Sequence, residues 1–346
     1  MNIQLKKLNE QVVVITGASS GIGLVTARMA AGRGARLVVA ARSEEALKQL
    51  VDEINGAGGE AVYVVADVGN EDDVRHISEA AIRRFGGFDT WINNAGVSVY
   101  GKLMEISIED QRRLFETNFW GVVYGSYVAA GHLKRRGGAL INVGSTLSDR
   151  AIPIQGMYSA SKHAVKGFTD ALRMELEADS APVSVTLIKP GAIDTPYTHH
   201  AKNYLESEPT LPPPVYAPEV VAEAILYCAE HQEREVFAGG GGKALSVSEK
   251  YAPRLTDKLM EWTMIDMQKS GRPPRRREDN GLYKASGKLK ERGGYEGHVA
   301  ESSLYTKASL HPLITGALVL GAAGVACAAL WRPALSNRGN GHSTRE

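Results

Sequence analysis

The sequence predicts an α/β fold: a doubly wound, parallel, seven-stranded sheet. Three observations predict it. Short β-branched apolar runs alternate with helical stretches along residues 12–238, the pattern of right-handed βαβ units. The first run leads directly into a glycine-rich turn and a helix. Polar signatures recur where the strands end, the edge at which open α/β sheets collect ligands.

Residues 12–16 form a strand apolar on both faces, as a buried parallel strand must be. Gly17, Ala18, Ser19, Ser20, Gly21, Ile22 and Gly23 follow, and residues 24–33 form a helix. Such a turn cradles phosphate, because glycines let the backbone approach and the helix N-terminus offers N–H groups and a positive dipole end. The spacing is Gly-x-x-x-Gly-x-Gly, not the better-known Gly-x-Gly-x-x-Gly. Next come a strand at 36–41 followed by Arg42, a helix at 43–55 capped by Ser43, a strand at 61–66 ending at Asp67, and a helix at 71–85. A strand at 90–93 opens into Asn93, Asn94, Ala95 and Gly96, and a long helix at 108–135 carries Asn118. A strand at 139–143 leads to Ser145, a helix at 157–178 carries Tyr158 and Lys162, and a strand at 183–188 precedes Pro190 and Gly191. A helix at 219–230 and a strand at 235–238 complete the pattern.

Tyr158 and Lys162 lie four apart, one turn above the other on one helix face. A free phenol, with a pKa of about 10, is a poor base at neutral pH, and a neighbouring ammonium favours the phenolate. The pair therefore suits general acid/base work, with the Ser145 hydroxyl placed to hydrogen-bond the oxygen that gains or loses the proton. The formal net charge of +1 argues against a nucleic-acid partner. Two cysteines, Cys228 and Cys327, imply neither a disulfide framework nor a thiolate zinc site. Residues 1–10 are polar and lack the apolar stretch of a signal peptide, so the expected compartment is the cytosol.

Together, Thr16-Gly17-x-x-x-Gly21-x-Gly23, Asp67, Asn93-Asn94-Ala95-Gly96, Asn118, Ser145, Tyr158-x-x-x-Lys162 and Pro190-Gly191 resemble the short-chain dehydrogenase/reductase family, over about residues 11–240. The resemblance implies a Rossmann-like fold and an oxidoreductase acting on CH–OH groups, interconverting a small-molecule carbonyl and a secondary alcohol. It also implies a tetrad of Asn118, Ser145, Tyr158 and Lys162. Tyr158 would exchange the proton, and Ser145 would hold the reacting oxygen. Lys162 would lower the phenol's pKa and hold the nicotinamide ribose, and Asn118 would hold a water. Asp67 would bond the adenine beside the Val68 backbone, or else cap the next helix. Asn94, Ala95 and Gly96 would pack on the adenine ribose. Pro190 and Gly191 would border the cofactor, and Thr195 would meet the nicotinamide carboxamide. The second strand ends without the acid that would bond the ribose of NAD, and Arg42 follows. A guanidinium suits a phosphate, so NADP(H) is expected, with Arg42 on the 2′-phosphate and Ser19 or Ser20 assisting. Tyr197, His199 and His200 lie in the expected lid and are not read as metal ligands, because no carboxylate cluster accompanies them. The family's habit of pairing through long helices implies a homodimer or homotetramer.

The expected domains are a catalytic domain at 1–250, an accessory helix at 251–269, a basic disordered linker at 270–311, a membrane anchor at 312–332 and a polar tail at 333–346. Residues 313–331 carry no charge, and at about 1.5 Å per residue they nearly match a hydrocarbon layer of roughly 30 Å. The resulting expectation is a membrane-anchored enzyme with its catalytic domain in the cytosol and a lipophilic substrate; the alternative location is cytoplasmic. The rival function is a non-catalytic NADP-binding sensor or scaffold at a membrane.

Overall fold

Seven parallel strands build the central sheet of the computed structural model, which describes residues 3–285, 289–311 and 315. Helices and strands alternate as β1 (Val12–Thr16), α1 (Gly21–Gly32), β2 (Arg36–Ala41), α2 (Glu44–Gly56), β3 (Ala61–Val65), α3 (Glu71–Phe85) and β4 (Thr90–Asn93). They continue as α4 (Ile108–Phe115), α5 (Gly121–Arg136), β5 (Gly138–Val143), α6 (Gly156–Ala178), β6 (Val183–Pro190), α7 (Pro218–Glu230) and β7 (Glu235–Ala238). In this numbering the strand order is β7-β6-β5-β4-β1-β2-β3, reversing direction between β1 and β4. That reversal opens a crevice at the strand ends.

β1 is buried throughout, and Ile15, Leu37, Trp91, Ile92 and Leu140 are fully enclosed between the helical layers. The periodicity of 108–135 predicts one helix, but a π turn at Glu116–Trp120 separates α4 from α5. The chain stays helical on both sides of this turn, so the two segments read as one, and such turns concentrate at functional sites. Ser43 caps α2 through Ala46 N–H. Asn70, not Asp67, caps α3, accepting from Asp72 and Asp73.

One buried cation fixes the far end of the sheet. Lys189 is 1% exposed, with Asp149 at 2.7 Å, Glu235 at 2.6 Å and the Phe237 ring centroid at 3.9 Å. Removing one partner of a buried ion pair strands the other charge. The Lys189→Met variant is therefore expected to lose about 3–5 kcal/mol in urea unfolding.

The carboxyl-terminal region departs from expectation. Two helices, α8 (Gly240–Tyr251) and α9 (Pro253–Met267), follow β7 where one was expected. The chain divides into two compact units, Met1–Thr306 and Lys307–Glu346. The reading of 270–311 as a disordered linker is corrected by its described residues within the first unit. Leu282 is fully buried. Arg275 pairs with Glu208, and Arg292 with Glu219 and Glu301. Val299–Ala300 forms a parallel ladder with Val215–Tyr216. Arg275 and Arg292 find acidic partners at Glu208 and Glu219, far away in sequence, which composition alone does not reveal. Among the described residues no helix is long and apolar enough to cross a membrane. The anchor expected at 312–332 lies outside the described residues, save position 315.

Candidate active site

The crevice at the strand ends holds a cavity of about 420 Å³. One end is the turn between β1 and α1. Gly17 has φ of +70°, and a Cβ there would come within 2.7 Å of the Ala95 backbone. A Cβ on Gly23 would stand 2.3 Å from the Gly17 carbonyl oxygen. Asn94 ties the turn down, its amide donating to the carbonyls of Thr16 at 2.9 Å and Gly17 at 3.2 Å. The Thr16 hydroxyl accepts from the backbone N–H groups of Asn94 and Ala95. A cradle that only glycine can form, opening at a helix N-terminus, fits a dinucleotide phosphate. Ser19, Ser20, Gly21, Ile22, Arg42, Asp67, Val68 and Gly96 border the same cavity.

Ser145, Tyr158 and Lys162 border the cavity as well, as do Pro190, Gly191 and Thr195, the last lying against Gly21 of the turn. Ser145 follows β5, and its hydroxyl accepts from Leu147 N–H at 3.0 Å. Lys162 sits one turn below Tyr158 on α6, its Nζ 5.7 Å from the phenol ring centroid and donating to the Val143 carbonyl at 2.9 Å. Burial pushes the Lys162 ammonium down to about 8. Burial raises the Tyr158 phenol above its ordinary value, and hydrogen bonding with Ser145 and Tyr197 opposes that rise. Asn118 lies in the π turn, fully buried. Its side chain pairs both ways with Val97, accepting from N–H at 2.8 Å and donating to the carbonyl at 2.9 Å. A Cβ on Gly96 would lie 3.5 Å from Asn118 Oδ1 and 3.9 Å from Lys162 Nζ, so the amide and the ammonium flank one backbone.

A chain with this sheet order, this glycine turn and this Ser-Tyr-Lys cluster has clear relatives. A sequence model described as short chain dehydrogenase matches residues 11–205. The chain belongs to the short-chain dehydrogenase/reductase family. It is similar to YxnA of Bacillus subtilis strain 168, described as an uncharacterized oxidoreductase, with 52% identity across 92% of this chain and 90% of that one. Among solved structures it resembles an alcohol dehydrogenase of the archaeon Thermococcus sibiricus complexed with 5-hydroxy-NADP. The identity is 30% and the TM-score 0.58, covering 66% of this chain and 95% of that one. It also resembles a short-chain dehydrogenase/reductase of Burkholderia phymatum in complex with NAD. There the identity is 27% and the TM-score 0.64, over 74% of this chain and 96% of that one.

Several residues around this short-chain dehydrogenase/reductase site were given no role in it by the sequence. Tyr197 meets Tyr158 edge-on with ring centroids 5.5 Å apart, and its hydroxyl lies 2.8 Å from both Ser98 Oγ and Gln155 Oε1. Gln155 Nε2 donates to Gln268 Oε1 at 2.6 Å, and Gln268, just past α9, donates to the carbonyls of Pro153 and Met264. Leu147, Ile152, Leu211, Leu245 and Met264 give the cavity an apolar wall, partly from α8 and α9. His200 also borders the cavity, and burial, together with nearby His199 and Arg42, lowers it to about 4. Among the described residues no group of three or more His, Cys, Asp or Glu side chains is arranged to hold a metal ion. Arg113 on α4 pairs with Asp67, whose other oxygen accepts from Gly69 N–H at 3.0 Å. The adenine partner expected from sequence is thus already held by a cation. Nothing distinguishes Arg113 from the adjacent Arg112 until the fold is known.

Proposed function

We propose that the chain is an NADP(H)-dependent oxidoreductase that interconverts a lipophilic carbonyl compound and the corresponding secondary alcohol, with Tyr158 as general acid/base. One observation carries this reading. A single cavity is bordered by both the glycine cradle and the cluster of Ser145, Tyr158 and Lys162. The bound nicotinamide supplies the hydride chemistry. The chain's own residues do the rest. Ser145 holds the reacting oxygen, and Tyr158 gives that oxygen a proton during reduction or takes one during oxidation. Lys162 keeps a positive charge beneath the phenol, and Asn118 holds the Val97 backbone that lines the cleft. Arg42 stands at the end of β2 where an acid would select NAD, which supports NADP(H). The apolar wall supports a lipophilic substrate, because apolar burial is the main attraction available there. Exposed Trp120, Tyr127 and Met174 on α5, α6 and the turn before them support assembly as a homodimer or homotetramer.

The uncharged segment 313–331 supports a membrane anchor. Recovery of the intact chain wholly in the soluble fraction after cell lysis would contradict that part of the reading.

Protonation gives a directional prediction. A base whose pKa is lowered to about 8 loses its charge as pH rises through that value, while Tyr158, raised by burial, keeps its proton. Ketone reduction should therefore hold level below about pH 7 and decline above about pH 8. A rate profile that rises through that range contradicts the assignment of charged Lys162 as the working form. The competing sensor reading predicts NADPH binding with no oxidation of NADPH by any ketone, aldehyde or quinone in a test panel.

A further inference from the structure

Two like-charged side chains converge on one backbone oxygen at the adenine end of the cleft. The Leu282 carbonyl accepts from Arg42 Nη1 at 3.2 Å and from Arg113 Nε at 3.2 Å. The Gly281 carbonyl accepts from Arg42 Nη2 at 2.5 Å. These oxygens belong to the carboxyl-terminal region, beyond the 11–205 match to the family. Among the described residues, Asp67 is the one carboxylate that borders the cavity, and it pairs with Arg113. Two guanidinium groups against one carboxylate leave an excess of one positive charge. That excess faces a cavity bordered by Arg42, Ser43, Asp67 and Gly281.

The segment holding the cations is anchored at every step. Leu282 is fully buried among Val97, Val99, Ile106 and Leu114. Gly281 N–H donates to the His200 carbonyl at 2.7 Å, and Leu282 N–H donates to Asn280 Oδ1 at 2.9 Å. The Tyr283 hydroxyl donates to Asp110 Oδ1 at 2.7 Å. A guanidinium has five N–H donors. The two carbonyls use two of those on Arg42, leaving three on a fork whose orientation is already set. A fork fixed before binding loses less freedom when a planar set of oxygens arrives.

We propose that Asn280–Tyr283 is a cofactor-specificity element: its carbonyls fix Arg42, which borders the cavity, as a preformed site for the 2′-phosphate of NADP(H), and the Leu282 carbonyl is shared with Arg113. This rests on the reading of the chain as NADP(H)-dependent and adds that the selection is built by the carboxyl-terminal region. Arg42 would touch the phosphate, whereas Leu282 and Tyr283 are positioning residues acting through it.

Dissociation constants for NADPH and NADH, followed by nicotinamide fluorescence on the full chain, test this without any substrate. Leu282→Ala should weaken NADPH binding by about tenfold, the loss of roughly one charge-assisted contact, and leave NADH within about twofold. Tyr283→Phe removes one hydroxyl anchor with little risk to folding and should shift NADPH in the same direction by a few-fold. Equal weakening of both cofactors, no change in either, or tighter NADPH binding each overturns the proposal. The last result would mean that the carbonyls stand where the phosphate should. Arg42→Ala separates the two levels. An unchanged NADPH-to-NADH ratio in that variant removes the NADP(H) reading itself. A collapsed ratio there, with Leu282→Ala and Tyr283→Phe unaffected, removes only the role of the carboxyl-terminal segment.

Discussion

Tyr158→Phe is expected to bind NADPH with unchanged affinity and to reduce carbonyl substrates on the order of 10³-fold more slowly, the usual scale of lost general acid catalysis. The ring stays, so its edge-on contact with Tyr197 and its place above Lys162 are preserved. What disappears is one hydroxyl, the atom on which the influences of Ser145 and Tyr197 converge. The measurement is a paired one: NADPH fluorescence for binding and NADPH consumption for turnover. Loss of both together would indicate damage to the cleft, and turnover preserved within a few-fold would assign the proton to another group.

Gly23→Ala is expected to abolish cofactor binding while removing part of the fold's stability. The added methyl would lie 2.3 Å from the Gly17 carbonyl oxygen and 2.5 Å from Asn94 Nδ2. Both neighbours are backbone or backbone-bonded, since Asn94 donates to the carbonyls of Thr16 and Gly17. Neither can retreat without opening the turn, and overpacking of this kind costs about 1–3 kcal/mol. Calorimetry of the variant should show a lower melting temperature, and addition of NADPH should no longer raise it. Gly56→Ala is the control, because nothing lies within 4 Å of the position its methyl would take. Equal cofactor protection in Gly23→Ala and in the parent would deny that this turn holds the phosphates.

The parallel sheet was legible because each buried strand announces itself as an apolar β-branched run and each helix as a periodic one. The gathering of Gly17, Asn94, Ser145, Tyr158 and Pro190 around one cavity was legible for a related reason. Once strands are parallel, everything that follows a strand falls on the same edge. The break at Glu116–Trp120 was not legible, because nothing local marks it, and the pairing of its Asn118 with Val97 is a contact between segments. Helix α8 was hidden by the glycines at its start, Gly240, Gly241 and Gly242, which read locally as a turn. Asp67 shows the limit for single residues. Its position at a strand end was readable, but its capture by Arg113 required α4 to be in place. The basic stretch after residue 270 looked solvated because charges were counted without their partners. Glu208, for example, meets Arg275 across 67 positions of chain.

The most direct test is a crystal structure of the full chain with NADPH bound. The account predicts the nicotinamide at the end of the cleft formed by Ser145 and Tyr158. Its hydride-bearing carbon should leave room for a substrate carbon at about 3–3.5 Å, within reach of the phenol's proton. A nicotinamide ring lodged elsewhere, with Tyr158 facing no cofactor, would contradict it.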